Sequence, residues 1–348
     1  MISDLISKLQ EKTDLSYDQM NNIMTDMLSG KTTDIENIDF LSKLAQKGET
    51  DDELLGMLDK MQEFSLKIDT QNSGTVIDMC GTGGDSLQTF NVSTTASFVV
   101  AASGGIVAKH GNRSSSGVSG SADIFEYFGY DLGSNPAQIS KVLQKFNICF
   151  MFAQKFHPAM KYVSYARKQL GTRTAFNLLG PLSNPAGVKN QLIGVFSIEY
   201  IDRLPAILKR KGAQNIMTVR SDDGMDEFST SSTNRVCILR NDKVLMNAID
   251  PEVVGLHKST LADIQIKSKQ DAIESFVGVL NNTANQAMIE TTALNAAGGL
   301  IVANIADNFE QGVEIALKTI KDGKAFSLLE KFVEETGDIS KLKEITDG

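Results

Sequence analysis

Three stretches of this chain gather the residue types that hold phosphate and divalent metal. The first is GTGGD, residues 81–85, which runs on through SLQTFNVST to Thr94. It follows an apolar run, Val76-Ile77, and precedes a helix-like run, Ala96–Ala102. Glycines packed between a strand and a helix let an anion come close to backbone amides. The second is KHGNRSSSGVSGSAD, residues 109–123. It sets Lys109, His110 and Arg113 beside the hydroxyls of Ser114, Ser115, Ser116, Ser119 and Ser121, an anion nest with cations next to it. In a parallel sheet the C-terminal strand ends share one edge, and ligands bind there. Two such loops side by side suit a ligand with two phosphate groups or one long polyphosphate. The third is SDDGMDEFS, residues 221–229, with Asp222, Asp223, Asp226 and Glu227 bunched after a strand-like run. Bunched carboxylates repel one another unless a cation binds them. Mg²⁺ takes a few carboxylates plus phosphate oxygens and water, so a metal-bridged polyphosphate is the reading of the three stretches together.

Each stretch alone has a plainer explanation: a tight turn, a Ser/Gly linker, an exposed acidic loop. Two familiar nucleotide motifs are excluded. A dinucleotide fingerprint wants a third Gly or Ala where Ser86 stands, and an acidic residue at the end of the second strand. Here that strand, Ile106–Ala108, ends in Lys109-His110. The Walker pattern fails because no Gly-Lys-Ser/Thr follows the glycines.

The elements that must position these loops fall into two blocks. Residues 1–70 read as helices only. Ser16-Tyr17-Asp18-Gln19, Thr33-Asp34-Ile35-Glu36 and Thr50-Asp51-Asp52-Glu53 match the capping-box pattern. Met20, Ile23, Met24 and Met27 form one apolar stripe at helical spacing, and Leu54, Leu58 and Met61 another. Gly30 and Gly48 sit where the first two of these helices should stop. After Asn72-Ser73-Gly74 short β-rich runs alternate with helical ones: TVIDMC, STTASFVVAA, GGIVAKH, SADIFEYFG, then ICFMFA, NQLIGVFS and NIMTVRS. RVCILRNDKVLMNAI predicts a hairpin turning at Asn241-Asp242, and helices dominate from Asp271 onward. The expected fold class is α/β: a small all-helical domain plus a larger α/β domain whose mainly parallel central sheet is flanked by helices. The expected division is 1–72, with a helical return at roughly 165–190, against the rest of 73–348.

Composition bounds the partners. The 348 residues carry 43 acidic and 34 basic side chains, a net charge of −9, which disfavours nucleic acid and anionic membranes. No purely apolar run is long enough to span a bilayer. MISDLISKLQEK lacks the apolar core of a secretory signal. Cys80, Cys149 and Cys237 are isolated and odd in number, which predicts a reduced, cytoplasmic protein without a disulfide framework.

GTGGD, NVST, KHGNR followed by SGSAD, HPAM, GTRTAFNLLGPLSNP and MDE occur in this order between about residues 75 and 230. In that order the chain resembles the anthranilate phosphoribosyltransferase family of tryptophan biosynthesis. The resemblance implies a helical domain and an α/β domain with the active site in the hinge, a homodimer through the helical domains, and Mg²⁺, two per monomer. The reaction it implies joins anthranilate to phosphoribosyl pyrophosphate and releases pyrophosphate. Carried over residue by residue, it implies that Gly81, Gly84, Asp85, Thr89, Asn91, Val92, Ser93 and Thr94 line the phosphoribosyl pyrophosphate. Lys109, His110, Gly111, Asn112, Arg113, Ser114, Ser115, Ser116, Gly117 and Ser121 complete that pocket. Ser93, Asp226 and Glu227 would hold metal. Gly81, Asn112, His157 and Arg167 would face anthranilate, where an arginine fork suits a benzoate carboxylate. Lys109 and Arg167 act by positioning, and no catalytic residue is assigned. Two positions depart from the family pattern: Val118 stands where many relatives have lysine, and Phe-Ser-Thr-Ser-Ser follows Glu227 where Val-Ser-Pro is commoner.

The implied chemistry builds positive charge on the ribose and negative charge on the leaving pyrophosphate. The amine of anthranilate is neutral at pH 7, so no strong base is required and positioning should carry much of the rate. His110 and His157 read as hydrogen-bonding or packing residues, and His257 has no motif around it. Two rival readings are a pyrimidine nucleoside phosphorylase-like enzyme and a catalytically silent relative that binds nucleic acid. The pair Asp226-Glu227 speaks against the first, and the acidic charge against the second.

Overall fold

The structure is a computed structural model and describes residues 2–70, 74–83, 85, 87–114 and 117–347. Gly84, Ser115 and Ser116 of the expected phosphate pocket, together with Ser86 and the Asn72-Ser73 boundary, lie outside the described residues.

The chain divides into two compact units, Met1–Lys67 with Ala153–Gly187 and Ile68–Phe152 with Val188–Gly348. The first is helical. Its helices Tyr17–Leu28, Asp34–Lys47 and Asp51–Glu63 open on the three capping boxes, with both reciprocal bonds present in each. Met20, Ile23, Met24, Met27, Leu54, Leu58 and Met61 are buried, as helical spacing predicts. The later segment adds helices Lys161–Leu170 and Ala175–Leu182. It is tied to the earlier one by Leu66 N–H to Phe156 C=O at 2.8 Å, Gln62 Nε2 to Leu182 C=O at 3.0 Å and Asn37 Nδ2 to Tyr162 C=O at 3.2 Å. The return therefore begins at Ala153 and not near residue 165. The short helix Ala153–Phe156 follows its strand without an intervening turn, so no punctuation in the sequence marks the crossing.

The second unit is built on one sheet. Its strands are β1 (Val76–Gly81), β2 (Ile106–Gly111), β3 (Ile148–Phe152), β4 (Asn190–Gly194), β5 (Asn215–Ser221), β6 (Asn234–Arg240) and β7 (Lys243–Ile249). They run in the order β3-β2-β1-β4-β5-β6-β7. The first five are mutually parallel, and β6 and β7 join antiparallel. The hairpin turns at Asn241 and Asp242 with φ of 52° and 60°, the left-handed pair that a two-residue hairpin requires. Helix Val92–Ala102, buried almost throughout, lies against β1, β2 and β3, and helix Gln286–Val302 lies against β1, β4 and β5. The strand order reverses at β1, between β2 and β4. That is where crossover connections leave a crevice at the C-terminal strand ends, and both glycine-rich loops emerge beside it.

Candidate active site

β1 ends at Gly81 and β4 at Gly194, paired in register. The backbone of Asp226 passes over both. A Cβ on Gly194 would lie 1.4 Å from the Asp226 carbonyl oxygen, and one on Gly81 would lie 2.7 Å from Asp226 Oδ2. The two glycines are thus the room that the acidic loop occupies. Gly83, at φ 73°, turns its N–H onto Asp226 Oδ2 at 2.6 Å, and Glu227 Oε1 accepts from Ser93 N–H at 3.1 Å. Ser93 stands in the first turn of helix Val92–Ala102, where unpaired amides and the helix dipole favour negative charge.

The second loop is stitched to the same helix. Asn91 Nδ2 donates to Ser119 C=O at 3.2 Å, and Thr94 donates to Ser121 Oγ at 2.9 Å. Asn91 Oδ1 is buried and accepts no bond among the described residues. The stretch before the helix is pinned by a bridge from Thr89 to Gln265 and by Phe90 N–H to Ile264 C=O at 3.1 Å. Asp85 folds back to accept from Leu87 N–H at 3.1 Å. Val92 is buried, and its N–H is taken by Phe90 C=O at 2.7 Å.

Lys109 is not a loop cation. It lies in β2, fully buried, and its Nζ donates to Met79 C=O at 2.6 Å and to Ser93 Oγ at 3.2 Å. Burial lowers its pKa, opposed by Asp78, Cys80 and Glu227. It is a counter-cation set beneath the acidic pair. Burial likewise raises the pKa of Asp226, reinforced by Asp85, and of Glu227, reinforced by Asp226 and Asp85. His110 is buried next to Lys109, with its N–H on Asp78 Oδ1 at 3.2 Å. Gly111 closes β2, and exposed Asn112 and Arg113 follow. Arg113 forks onto Glu126, with Nη2 to Oε1 at 2.6 Å, and stacks over Phe152. Ser114 Oγ accepts from Gly117 N–H at 2.7 Å, and Val118 is half-buried.

The four bunched carboxylates separate into two pairs. Asp222 forks onto exposed Arg235 at 2.9 and 3.2 Å. Asp223 accepts from Met225 N–H at 3.1 Å, from Ser229 Oγ at 2.6 Å and from Ser231 Oγ. Those two organise their own loop and are removed from the expected cation group. Of the four, Asp226 and Glu227 bond the glycine-rich loop and the first turn of helix Val92–Ala102. Among the described residues no three His, Cys, Asp or Glu side chains form a ready cage. Buried Asp226 and half-buried Glu227 fit Mg²⁺, which uses one or two carboxylates plus phosphate oxygens and keeps several waters. Sequence reasoning missed Asp78, the buried carboxylate facing Lys109. Its signal was an acid in the middle of the apolar run TVIDMC.

In the helical unit His157 is buried, with Nε2 3.5 Å from Ser183 Oγ. Burial, with Lys67 nearby, holds its pKa down to about 4. Arg167 lies half-buried on helix Lys161–Leu170, its guanidinium over the Phe176 ring at 5.3 Å, and desolvation lowers its pKa.

A helical unit, and an α/β unit whose glycine-rich loop and helix N-terminus bond Asp226 and Glu227, are the two parts of a glycosyl transferase. Residues 3–65 match the helical bundle domain of the glycosyl transferase family, and residues 73–326 match its a/b domain. The chain is 85% identical to the anthranilate phosphoribosyltransferase of Nitrosopumilus maritimus (strain SCM1) over 348 residues, the whole of both chains. It is 51% identical to that of Cenarchaeum symbiosum (strain A) over 97% of this chain and 98% of the relative. The crystal structure of the Thermus thermophilus enzyme of the same name matches with a TM-score of 0.88 at 32% identity, covering 94% of this chain and 98% of that one. The Saccharomyces cerevisiae enzyme in complex with PRPP and Mg matches with a TM-score of 0.85 at 25% identity, over 96% and 97%. The chain belongs to the anthranilate phosphoribosyltransferase family.

Proposed function

We propose that this protein transfers the phosphoribosyl group of phosphoribosyl pyrophosphate to the amine of anthranilate, releasing pyrophosphate, with two Mg²⁺ per monomer. The observation that carries the reading is the convergence of a helix N-terminus, a hydroxyl-rich loop and the acidic pair Asp226-Glu227 at one end of the parallel strands. In this reading the glycine-rich loop, the first turn of helix Val92–Ala102 and the hydroxyls of Ser114 and Ser121 hold the phosphates, while the Gly83 and Ser93 amides serve Asp226 and Glu227. Asn91 Oδ1 takes a ribose hydroxyl. Asp226, Glu227 and Ser93 would hold the metal, which would supply countercharge for the departing pyrophosphate. Lys109 opposes the rise in the Glu227 pKa and orients Ser93 through its bond to Oγ. Arg167 grips the anthranilate carboxylate through its planar fork, and Gly81, Asn112 and His157 complete that subsite. His157, neutral at pH 7, serves by shape and hydrogen bonding and not by proton transfer. The aromatic amine needs no strong base, so alignment of the two substrates supplies much of the acceleration.

Pyrophosphate release that requires anthranilate tests this reading. Phosphate-dependent cleavage of a nucleoside in its place would favour the phosphorylase. A homodimer through the helical unit is part of the proposal. Ile35, Tyr162 and Tyr165 are 80%, 41% and 51% exposed on helices Asp34–Lys47 and Lys161–Leu170, which pack together. Sedimentation at micromolar concentration should give a dimer, and a monomer would refute it. The three cysteines are free, which suits a reducing cytoplasm, and no described helix is long and apolar enough to cross a membrane.

A further inference from the structure

One side chain behind the acidic pair grips the main chain. Asn295, buried on helix Gln286–Val302, accepts from Phe228 N–H at 3.0 Å through Oδ1 and donates to Phe228 C=O at 2.7 Å through Nδ2. Its Nδ2 also donates to Thr291 C=O at 2.9 Å, on its own helix. Both hydrogens of the amide therefore have acceptors, and its oxygen alone can face the Phe228 N–H. A residue whose two backbone polar groups go to one rigid amide has its φ and ψ set from outside. The residue before it is Glu227, and the one before that is Asp226.

The loop is held from the other sides as well. Gly194 admits the Asp226 carbonyl oxygen with no room for a methyl group. The Phe228 ring is fully buried, 5.3 Å from Phe309 and in close contact with Gly298. Ser229 N–H goes to Asn234 Oδ1 at 2.8 Å, and Thr230 shares a hydroxyl bond of 2.7 Å with Thr291. This is the stretch where the sequence departs from the family pattern, and it is bonded to Asn234 on β6 and to Thr291 and Asn295 on helix Gln286–Val302 at nearly every residue. An asparagine in a buried helix is costly unless satisfied, and an apolar residue would pack as well.

We propose that Asn295 is a positioning residue for metal binding: its amide clamp on Phe228 presets the direction of Asp226 and Glu227 before any cation arrives. The inference rests on the reading of those two carboxylates as the Mg²⁺-holding pair. Two readouts test it in the full-length protein. One is the Mg²⁺ concentration giving half-maximal turnover. The other is the Mg²⁺ concentration giving half of the rise in melting temperature with phosphoribosyl pyrophosphate present. Asn295→Ala should raise both midpoints roughly tenfold, as loss of an outer-shell partner does at metal sites. Its KM for anthranilate at saturating Mg²⁺ should stay put. Ser103→Ala removes a hydroxyl bond to Thr319 beyond the C-terminal end of helix Val92–Ala102 and should lower stability without moving either midpoint. A folded Asn295→Ala protein with both midpoints at the wild-type value overturns the inference. Should that variant not fold, Asn295→Asp carries the test: it is isosteric, keeps the acceptor for the Phe228 N–H and loses the donor to its C=O. Its midpoints should rise too, and unchanged midpoints overturn the inference equally. A wild-type protein indifferent to Mg²⁺ in both readouts would overturn the metal reading itself, and the role of Asn295 with it.

Discussion

Gly194→Ala places a methyl group where the structure has no room for one. The new Cβ would lie 1.4 Å from the Asp226 carbonyl oxygen, 2.6 Å from its carbon and 3.4 Å from the Glu227 nitrogen. Ordinary contact begins at 3.4 Å, so the oxygen would have to retreat by about 2 Å. It cannot do so freely, because Asn295 and the buried Phe228 hold the next residue from behind. The cost in stability is that of overpacking, roughly 1–3 kcal/mol. The cost in turnover is larger. A misplacement of about 1 Å can lower a rate on the order of a hundredfold, and here the main chain that bears the proposed metal pair has to yield by more. Steady-state turnover and thermal unfolding measured on the same preparation separate the two effects. Gly278→Ala is the control. Its Cβ meets neighbours at no less than 3.4 Å inside helix Lys269–Leu280, so it should leave turnover alone. It should stabilise the protein by roughly 0.5–1 kcal/mol. A folded Gly194→Ala protein with near wild-type turnover at limiting Mg²⁺ would refute the argument that this glycine makes room for the acidic pair.

Arg167→Ala should raise the KM for anthranilate by about tenfold or more, since a hydrogen bond to a charged group is worth roughly 1.5–3 kcal/mol, while the KM for phosphoribosyl pyrophosphate stays near wild type. Arg167→Lys should recover only part, having no planar fork to match the carboxylate or to stack on Phe176; an equal loss for both substrates would move Arg167 out of the anthranilate subsite. Asp226→Asn with Glu227→Gln should abolish Mg²⁺-dependent turnover yet leave the metal-free protein as stable as wild type or more so, because burial already disfavours both charges; a large fall in melting temperature would contradict this. His157 has a folded pKa of about 4 against an ordinary 6.5, so between those values the unfolded chain binds a proton that the native state refuses. Stability should therefore fall by roughly 3 kcal/mol as pH drops through that window, and His157→Gln should flatten the slope of a urea-midpoint profile.

What the sequence disclosed was local. Capping boxes at Ser16, Thr33 and Thr50 are short-range signals, and each opens a helix in the structure. The Asn241-Asp242 turn and the alternating runs named the sheet and its hairpin for the same reason. The glycine and serine loops were visible because their composition is unusual wherever they fold. What stayed hidden depends on partners distant in sequence. Asp223 and Asp226 look alike on paper, yet one meets the hydroxyls of Ser229 and Ser231 and the other the amide of Gly83. Lys109 reads as a phosphate cation beside Arg113, but its place in β2 buries it under Ser93. Asn295 shares its helix with the polar residues Glu290, Thr291 and Thr292, and nothing near it in sequence names Phe228 as its partner.

The most direct measurement follows the fluorescence of anthranilate as it is consumed by the purified protein. With phosphoribosyl pyrophosphate and Mg²⁺ both present, the signal should fall and pyrophosphate should appear mole for mole. Omission of either, or addition of EDTA, should hold it constant. Consumption that persists in EDTA, or none under any of these conditions, would contradict the account of a metal-dependent phosphoribosyl transfer at this site.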